Sequence, residues 1–127
     1  MMLTGTITNI RPIIAVKFCN SKFCVTAHAI IDTGASHSLI SQLVATSLNL
    51  PIHRMGSVRS ANGKSAPSST YVCELELPNH SIRRVMEFGS LPNPLPDLNA
   101  VIGMDLLSLG AFTLNQNTFT LTIPCMV

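Results

Sequence analysis

The sequence predicts one all-β domain spanning residues 1–127, and three observations carry that expectation. Hydrophobic residues make up 46% of the chain and charged ones 11%, enough apolar surface for a single packed core at this length. The apolar residues arrive in short β-branched runs cut by Pro, Gly and Asn, the pattern of strands joined by tight turns. In the clearest run they alternate with polar residues, which puts one face of a strand on the core.

Taken in order, residues 3–8 and 12–18 read as strands, and Cys19-Asn20-Ser21-Lys22 as a turn into a third strand over 23–31. There Phe23, Val25, Ala27, Ala29 and Ile31 alternate with Cys24, Thr26, His28 and Ile30, and the first set is expected on the core. Residues 36–50 carry Leu39, Ile40, Leu43, Val44, Leu48 and Leu50 at roughly helical spacing, closed by Pro51, which predicts a short helix. Residues 55–60 and 64–68 flank Ala61-Asn62-Gly63, and Asn-Gly favours a hairpin because both residues tolerate positive φ. Strands over 70–77 and 82–88 pair around Pro78-Asn79-His80, and the Pro-rich stretch 91–99 is a surface connection. A strand ending at Gly103, a short helix holding Leu106 and Leu107, a stop at Gly110 and a final pair, 111–114 with 118–123, complete the chain. Each half runs an apolar strand into a glycine, Gly34 or Gly103, and then into a helix, which reads as a weak internal duplication.

Composition excludes several function classes. The net charge is +2, Lys and Arg are scattered apart from Arg83-Arg84, and no Trp and one Tyr are available to stack on bases, so nucleic acid is not an expected partner. No run reaches the roughly 18 apolar residues needed to cross a bilayer, so no membrane association is expected. The first ten residues lack a positive start and a long apolar stretch, which points to a cytoplasmic chain. In that compartment Cys19, Cys24, Cys73 and Cys125 are expected as free thiols. Cys19, Cys24 and His28 could gather round zinc, but no fourth ligand is placed, so neither metal nor cofactor is expected. The low charge fraction suits a chain that hides surface against a second copy. Met55, Met86, Met104 and Met126 read as core or interface filler.

The chemistry-bearing segment is Ile30-Ile31-Asp32-Thr33-Gly34-Ala35-Ser36. An Asp-Thr-Gly triplet arises by chance in roughly one chain in fifty of this length, so context carries the reading. Here it follows an apolar strand, and Ala100-Val101-Ile102-Gly103-Met104-Asp105-Leu106-Leu107 follows at a distance as an apolar-apolar-Gly segment before a helix. In these two motifs and their order the chain resembles the retropepsin family of aspartic proteases. The resemblance implies a closed acid-protease barrel with one short C-terminal helix, a flap hairpin and function as a homodimer. It also implies that Thr33 locks the two loops across the dimer axis, that the Gly34 amide binds the carboxylates, and that Ala35 borders the substrate. Ala61, Asn62 and Gly63 stand where the family has its substrate-covering flap. Ser36 and Met104 stand where many viral members carry an Asp and an Arg that brace the dimer.

Hydrolysing a peptide with carboxylates takes two of them, one to deprotonate water and one to protonate the scissile carbonyl. The chain has one Asp-Thr-Gly. Asp105 sits at a helix start and reads as a cap or dipole partner, and His37 as a solvated residue of a first helical turn. The second carboxylate is therefore expected from Asp32 of a second copy, across a twofold axis. The expected function is aspartic endopeptidase acting on peptide or protein substrates. The alternative is a non-catalytic dimerisation or peptide-binding module of the same fold.

Overall fold

The computed structural model describes residues 2–8, 11–59, 63, 65–78, 83–92 and 97–123. The chain runs β1 (Met2–Thr8), β2 (Arg11–Cys19), β3 (Cys24–Ile31), β4 (Leu39–Ile40), α1 (Gln42–Ser47), β5 (Arg54–Arg59) and β6 (Ser65–Glu76). It continues through β7 (Arg83–Ser90), β8 (Ala100–Ile102), α2 (Met104–Leu107), β9 (Ala111–Asn115) and β10 (Thr118–Thr122). The strands form one sheet in the order β5-β6-β7-β4-β8-β3-β2-β1-β10-β9. An additional β2–β6 pairing, Lys17 to Cys19 against Glu76 to Glu74, closes the ring from β2 to β6, so the all-β closed barrel is realised.

Alternation fills the barrel. Ile14, Val16 and Phe18 of β2, Ala27, Ala29 and Ile31 of β3, and Tyr71, Cys73 and Leu75 of β6 turn inward, with Phe18 edge-on to Phe88 at 5.3 Å between ring centroids. Phe23 departs from the expected set: it is 49% exposed, because it belongs to the turn before β3, where Asn20 Oδ1 accepts from the amides of Lys22 and Phe23. Of the methionines, Met86 is buried, whereas Met55 and Met104 are exposed and do not fill the core; Met126 lies outside the described residues.

The helix expected over 36–50 starts later. Leu39 and Ile40 are claimed by β8 and β7 as β4, and only then does Ser41 cap α1, its Oγ accepting from the Val44 amide. The strands expected over 64–68 and 70–77 are one, since Ser69 pairs with Met55 and no turn separates them. β10 lies between β1 and β9, whereas β1 pairs with β10 from Met2 to Thr6 and with β2 through Ile7 and Thr8. β5 and β9 end the strand order.

The free-thiol expectation is corrected at two cysteines. Cys19 and Cys24 are direct cross-strand partners in the β2–β3 hairpin and form a disulfide. Cysteine number and compartment cannot reveal a pair that register places face to face. A disulfide persists in oxidising surroundings, so this bond and the expected cytoplasmic location pull in opposite directions. Cys125 lies outside the described residues. Among the described residues no helix is long and apolar enough to cross a membrane.

Cys73 remains a thiol at 5% exposure, and burial pushes its pKa up to about 12. Because the thiolate is the reactive form, the native protein treated with iodoacetamide at pH 8 is expected to leave the Cys73 peptide unlabelled by mass spectrometry, while denatured protein labels it fully. Rapid labelling of Cys73 in the native state would contradict its place in the barrel.

Candidate active site

Strand order sets the site. β8 pairs in parallel with β3 on one side and antiparallel with β4 on the other, so the chain leaving β3 must cross the end of β8 before returning as β4. Asp32 begins that crossing, its amide donating to Ile102 O at 2.9 Å as the last rung of the β3–β8 ladder. Its carboxylate is oriented by its own loop: the Gly34 amide donates to Asp32 Oδ1 at 2.8 Å and the Ala35 amide to Asp32 O at 3.2 Å. Asp32, Thr33 and Gly34 are all exposed in the single chain.

The far side of the loop is tied down by a residue that sequence reasoning missed. Ser38 is fully buried, and its amide and hydroxyl donate to Asp105 Oδ2 and Oδ1 at 2.8 and 2.6 Å. Ser38 Oγ accepts from the Gly103 amide at 3.0 Å, and the Met104 amide donates to Ala35 O at 2.7 Å. Asp105 does stand in the first turn of α2 and accepts from Leu106 N, as expected of a residue at a helix start. It also clamps the Asp32 loop to the second motif. Gly103 is needed because a Cβ there would lie 2.7 Å from Ala35 O and 2.9 Å from His37 C and O. Ser38 and Asp105 are 67 positions apart and carry no local signal of their pairing.

A groove of about 640 Å³ opens beside the loop. Gly34, Ala35 and Leu39 form one wall and Met55, Gly56 and Ser57 of β5 the other. Of the expected substrate-binding residues, Ala35 therefore lines the groove. Gly63 is exposed with φ +83° and open space where a Cβ would sit, as a hairpin turn requires. Ala61 and Asn62 lie outside the described residues. His37 is exposed and its Nδ1 lies 3.1 Å from Ser36 Oγ.

Among the described residues lining the groove, Arg54 and Glu87 form an ion pair. Arg54 donates from Nε and Nη2 to Glu87 Oε2 and Oε1 at 2.6 and 2.7 Å, and Thr70 Oγ1 donates to Oε2 at 2.7 Å. The Arg54 hydrogen bond, then that of Thr70, holds the Glu87 carboxyl below the usual glutamate range, and Glu87 in turn raises the Arg54 guanidinium. As for metal ligands, Cys19, Cys24 and Glu76 bring donor atoms within 4.8 Å of one another. With the sulfurs joined in a disulfide and Arg83 Nη2 3.3 Å from Glu76, the set offers no thiolate to a metal.

Comparison with known proteins agrees with this geometry. A family model described as "gag-polyprotein putative aspartyl protease" matches residues 24–109, more than half of the chain. Among solved structures, a retropepsin-like aspartic protease from Rickettsia conorii superposes with a TM-score of 0.69 at 14% identity, covering 95% of this chain and 90% of that one. The retroviral protease-like domain of Ddi1 from Leishmania major superposes with a TM-score of 0.50 at 15% identity, covering 80% of each chain. At such identities the likeness shows the fold, a retropepsin-like barrel. No curated protein matches the chain.

Two outcomes follow from the contacts. Ser38→Ala leaves the buried Gly103 amide without its acceptor and should lower stability by about 1–3 kcal/mol in urea unfolding, with Gly103→Ala, which meets backbone and not a yielding side chain, more damaging still. A Gly103→Ala protein as stable as the parent would refute the close packing of the two motifs. Because the folded Glu87 pKa is depressed, its contribution is complete above the ordinary glutamate range and is lost as pH falls through the folded value. An NMR titration of the Glu87 carboxyl should therefore show a midpoint below that of an unfolded glutamate, rising in Arg54→Ala.

Proposed function

Because the chain belongs to the gag-polyprotein aspartyl protease family, we propose that it is an aspartic endopeptidase in which Asp32 from each subunit of a homodimer forms the catalytic pair. The observation that carries the reading is the single Asp32 carboxylate, held by the Gly34 amide in a loop whose next residues, Gly34 and Ala35, line a groove. A lone carboxylate cannot act as acid and base at once, and a twofold axis through this exposed loop supplies its counterpart without any change of sequence.

In the proposed reaction one carboxylate takes a proton from water, and the water oxygen forms a bond to the scissile carbonyl carbon. The other carboxyl passes its proton to the carbonyl oxygen, giving a tetrahedral diol. Collapse of the diol breaks the C–N bond as the amine nitrogen is protonated, and the pair regains its starting state. Two carboxyls a few ångströms apart titrate as a unit, because both cannot ionise cheaply. The substrate binds as an extended strand. Support comes from β5, which among the described strands pairs with β6 alone and whose Met55, Gly56 and Ser57 line the groove, where peptide backbone can add to its free edge. Thr33 is assigned to the contact between the two loops, and the hairpin carrying Ala61, Asn62 and Gly63 to covering the substrate.

A second reading, a non-catalytic dimerisation or peptide-binding module, is favoured by Ser36 and Met104 standing where many viral relatives carry a dimer-bracing ion pair. One set of measurements separates the two. Sedimentation of the concentrated protein should show a homodimer. A peptide library should be cleaved along a bell-shaped pH profile at mildly acidic to neutral pH, as Ala35 leaves the pair less hydrogen-bonded than a hydroxyl residue would. Asp32→Asn should abolish cleavage while leaving the dimer intact. Cleavage by Asp32→Asn at the parental rate, or a strictly monomeric active species, would sink the proposal.

A further inference from the structure

The groove is lined by small residues of the Asp32 loop and by the charged pair Arg54 and Glu87, with Arg54 three strands away from Leu39. Gly34 and Ala35 contribute little more than backbone and Gly56 has open space where a Cβ would sit, so they leave room for large side chains close to the scissile bond. Arg54, Thr70, Gly89 and Leu39 then form one row across four strands, since Arg54 pairs with Thr70, Thr70 with Gly89 and Gly89 with Leu39. Glu87 lies two residues before Gly89 and so shares its face, which brings its carboxylate diagonally under Thr70 and Arg54.

The two charges are not equally presented. The Arg54 side chain is 69% exposed and that of Glu87 30%, so a group entering the groove meets the guanidinium first. Both Glu87 oxygens are already engaged, Oε2 by Arg54 Nε and Thr70 and Oε1 by Arg54 Nη2. A guanidinium carries five N–H donors; among the described contacts Glu87 takes two, from Nε and Nη2. Its remaining donors are held in a fixed plane by Glu87, an orientation suited to a second carboxylate.

From this asymmetry we propose that Arg54, positioned by Glu87 and Thr70, is a specificity-determining residue that selects peptides with an acidic side chain at the outer end of the groove. An acidic side chain next to the scissile bond would meet the negative charge of the catalytic pair, so the preference belongs at the outer position. A basic side chain there meets Arg54 first, and behind it a carboxylate whose oxygens are occupied. The effect is that of an exposed ion pair, about three- to fivefold in affinity for Glu over Gln at that position. It weakens as salt rises. The inference rests on the proposed peptide groove and not on turnover.

The test measures binding, so that loss of catalysis does not obscure it. Fluorescence anisotropy of labelled extended peptides on the Asp32→Asn protein is read for three series carrying Glu, Gln or Lys at each position outward from the centre. At one outer position Glu should bind about three- to fivefold tighter than Gln, and Lys more weakly than Gln. The double exchange Arg54→Glu with Glu87→Arg keeps an ion pair, and a melting temperature close to the parent's confirms that the hairpin base is intact. It should reverse the order of the Glu and Lys peptides, which a purely structural pair would not do. Equal affinities for the three series, an unreversed order in the exchanged protein, or no peptide binding at all would overturn the proposal. A preserved charge order in a chain whose unmutated form cleaves nothing would reject the hydrolase reading alone.

Discussion

The crossing of the Asp32 loop over the end of β8 is the constraint on which the site depends. A strand that leaves β3 and re-enters the sheet beyond β8 must turn twice within residues 32–38, and nothing apolar in that stretch can hold it. Hydrogen bonds hold it instead. Ser38 is the centre of the set, fully buried, donating twice to Asp105 and accepting from Gly103. A buried hydroxyl left unpaired costs about 1–3 kcal/mol, so the favourable arrangement is the one in which all of these partners are present together. Among the described residues no buried side-chain polar atom lacks a partner, in keeping with that requirement.

This arrangement separates the work of two kinds of interaction. The Ser38–Asp105 contacts are half-buried, with Ser38 itself out of water, so removing Asp105 leaves a desolvated amide and hydroxyl. The Arg54–Glu87 pair has better charge-assisted geometry but stands in solvent, where screening and side-chain entropy remove most of its worth to folding. The buried contacts therefore position the Asp32 loop, and the exposed pair stands open to the groove. The clamp lies within one chain, whereas the ion pair that braces many viral relatives has no counterpart at Ser36 and Met104.

Much of this was legible in the residues. Strand alternation, the Asn-Gly hairpin signal and the pairing of β9 with β10 across Asn115-Gln116-Asn117 are local properties, and they survive folding because the barrel rewards the same inward faces. Where local pattern failed, pairing had intervened. Leu39 and Ile40 fit a helical stripe until the distant β7 and β8 take them as a strand, and Cys19 meets Cys24, five positions on, because of the register of β2 on β3.

By itself the sequence determined a run of strands and the one carboxylate set in Asp32-Thr33-Gly34, because alternation, turn chemistry and that triplet are readable over a few adjacent residues. Closure into a barrel was implied by the likeness of its two motifs to the retropepsin family. Tertiary structure alone decided what stands around that carboxylate: Ser38 on Asp105, Gly103 beneath Ala35, Arg54 on Glu87 across β6. Those contacts join residues 33 to 68 positions apart, and their partners are chosen by strand order and register, which no short stretch of chain encodes.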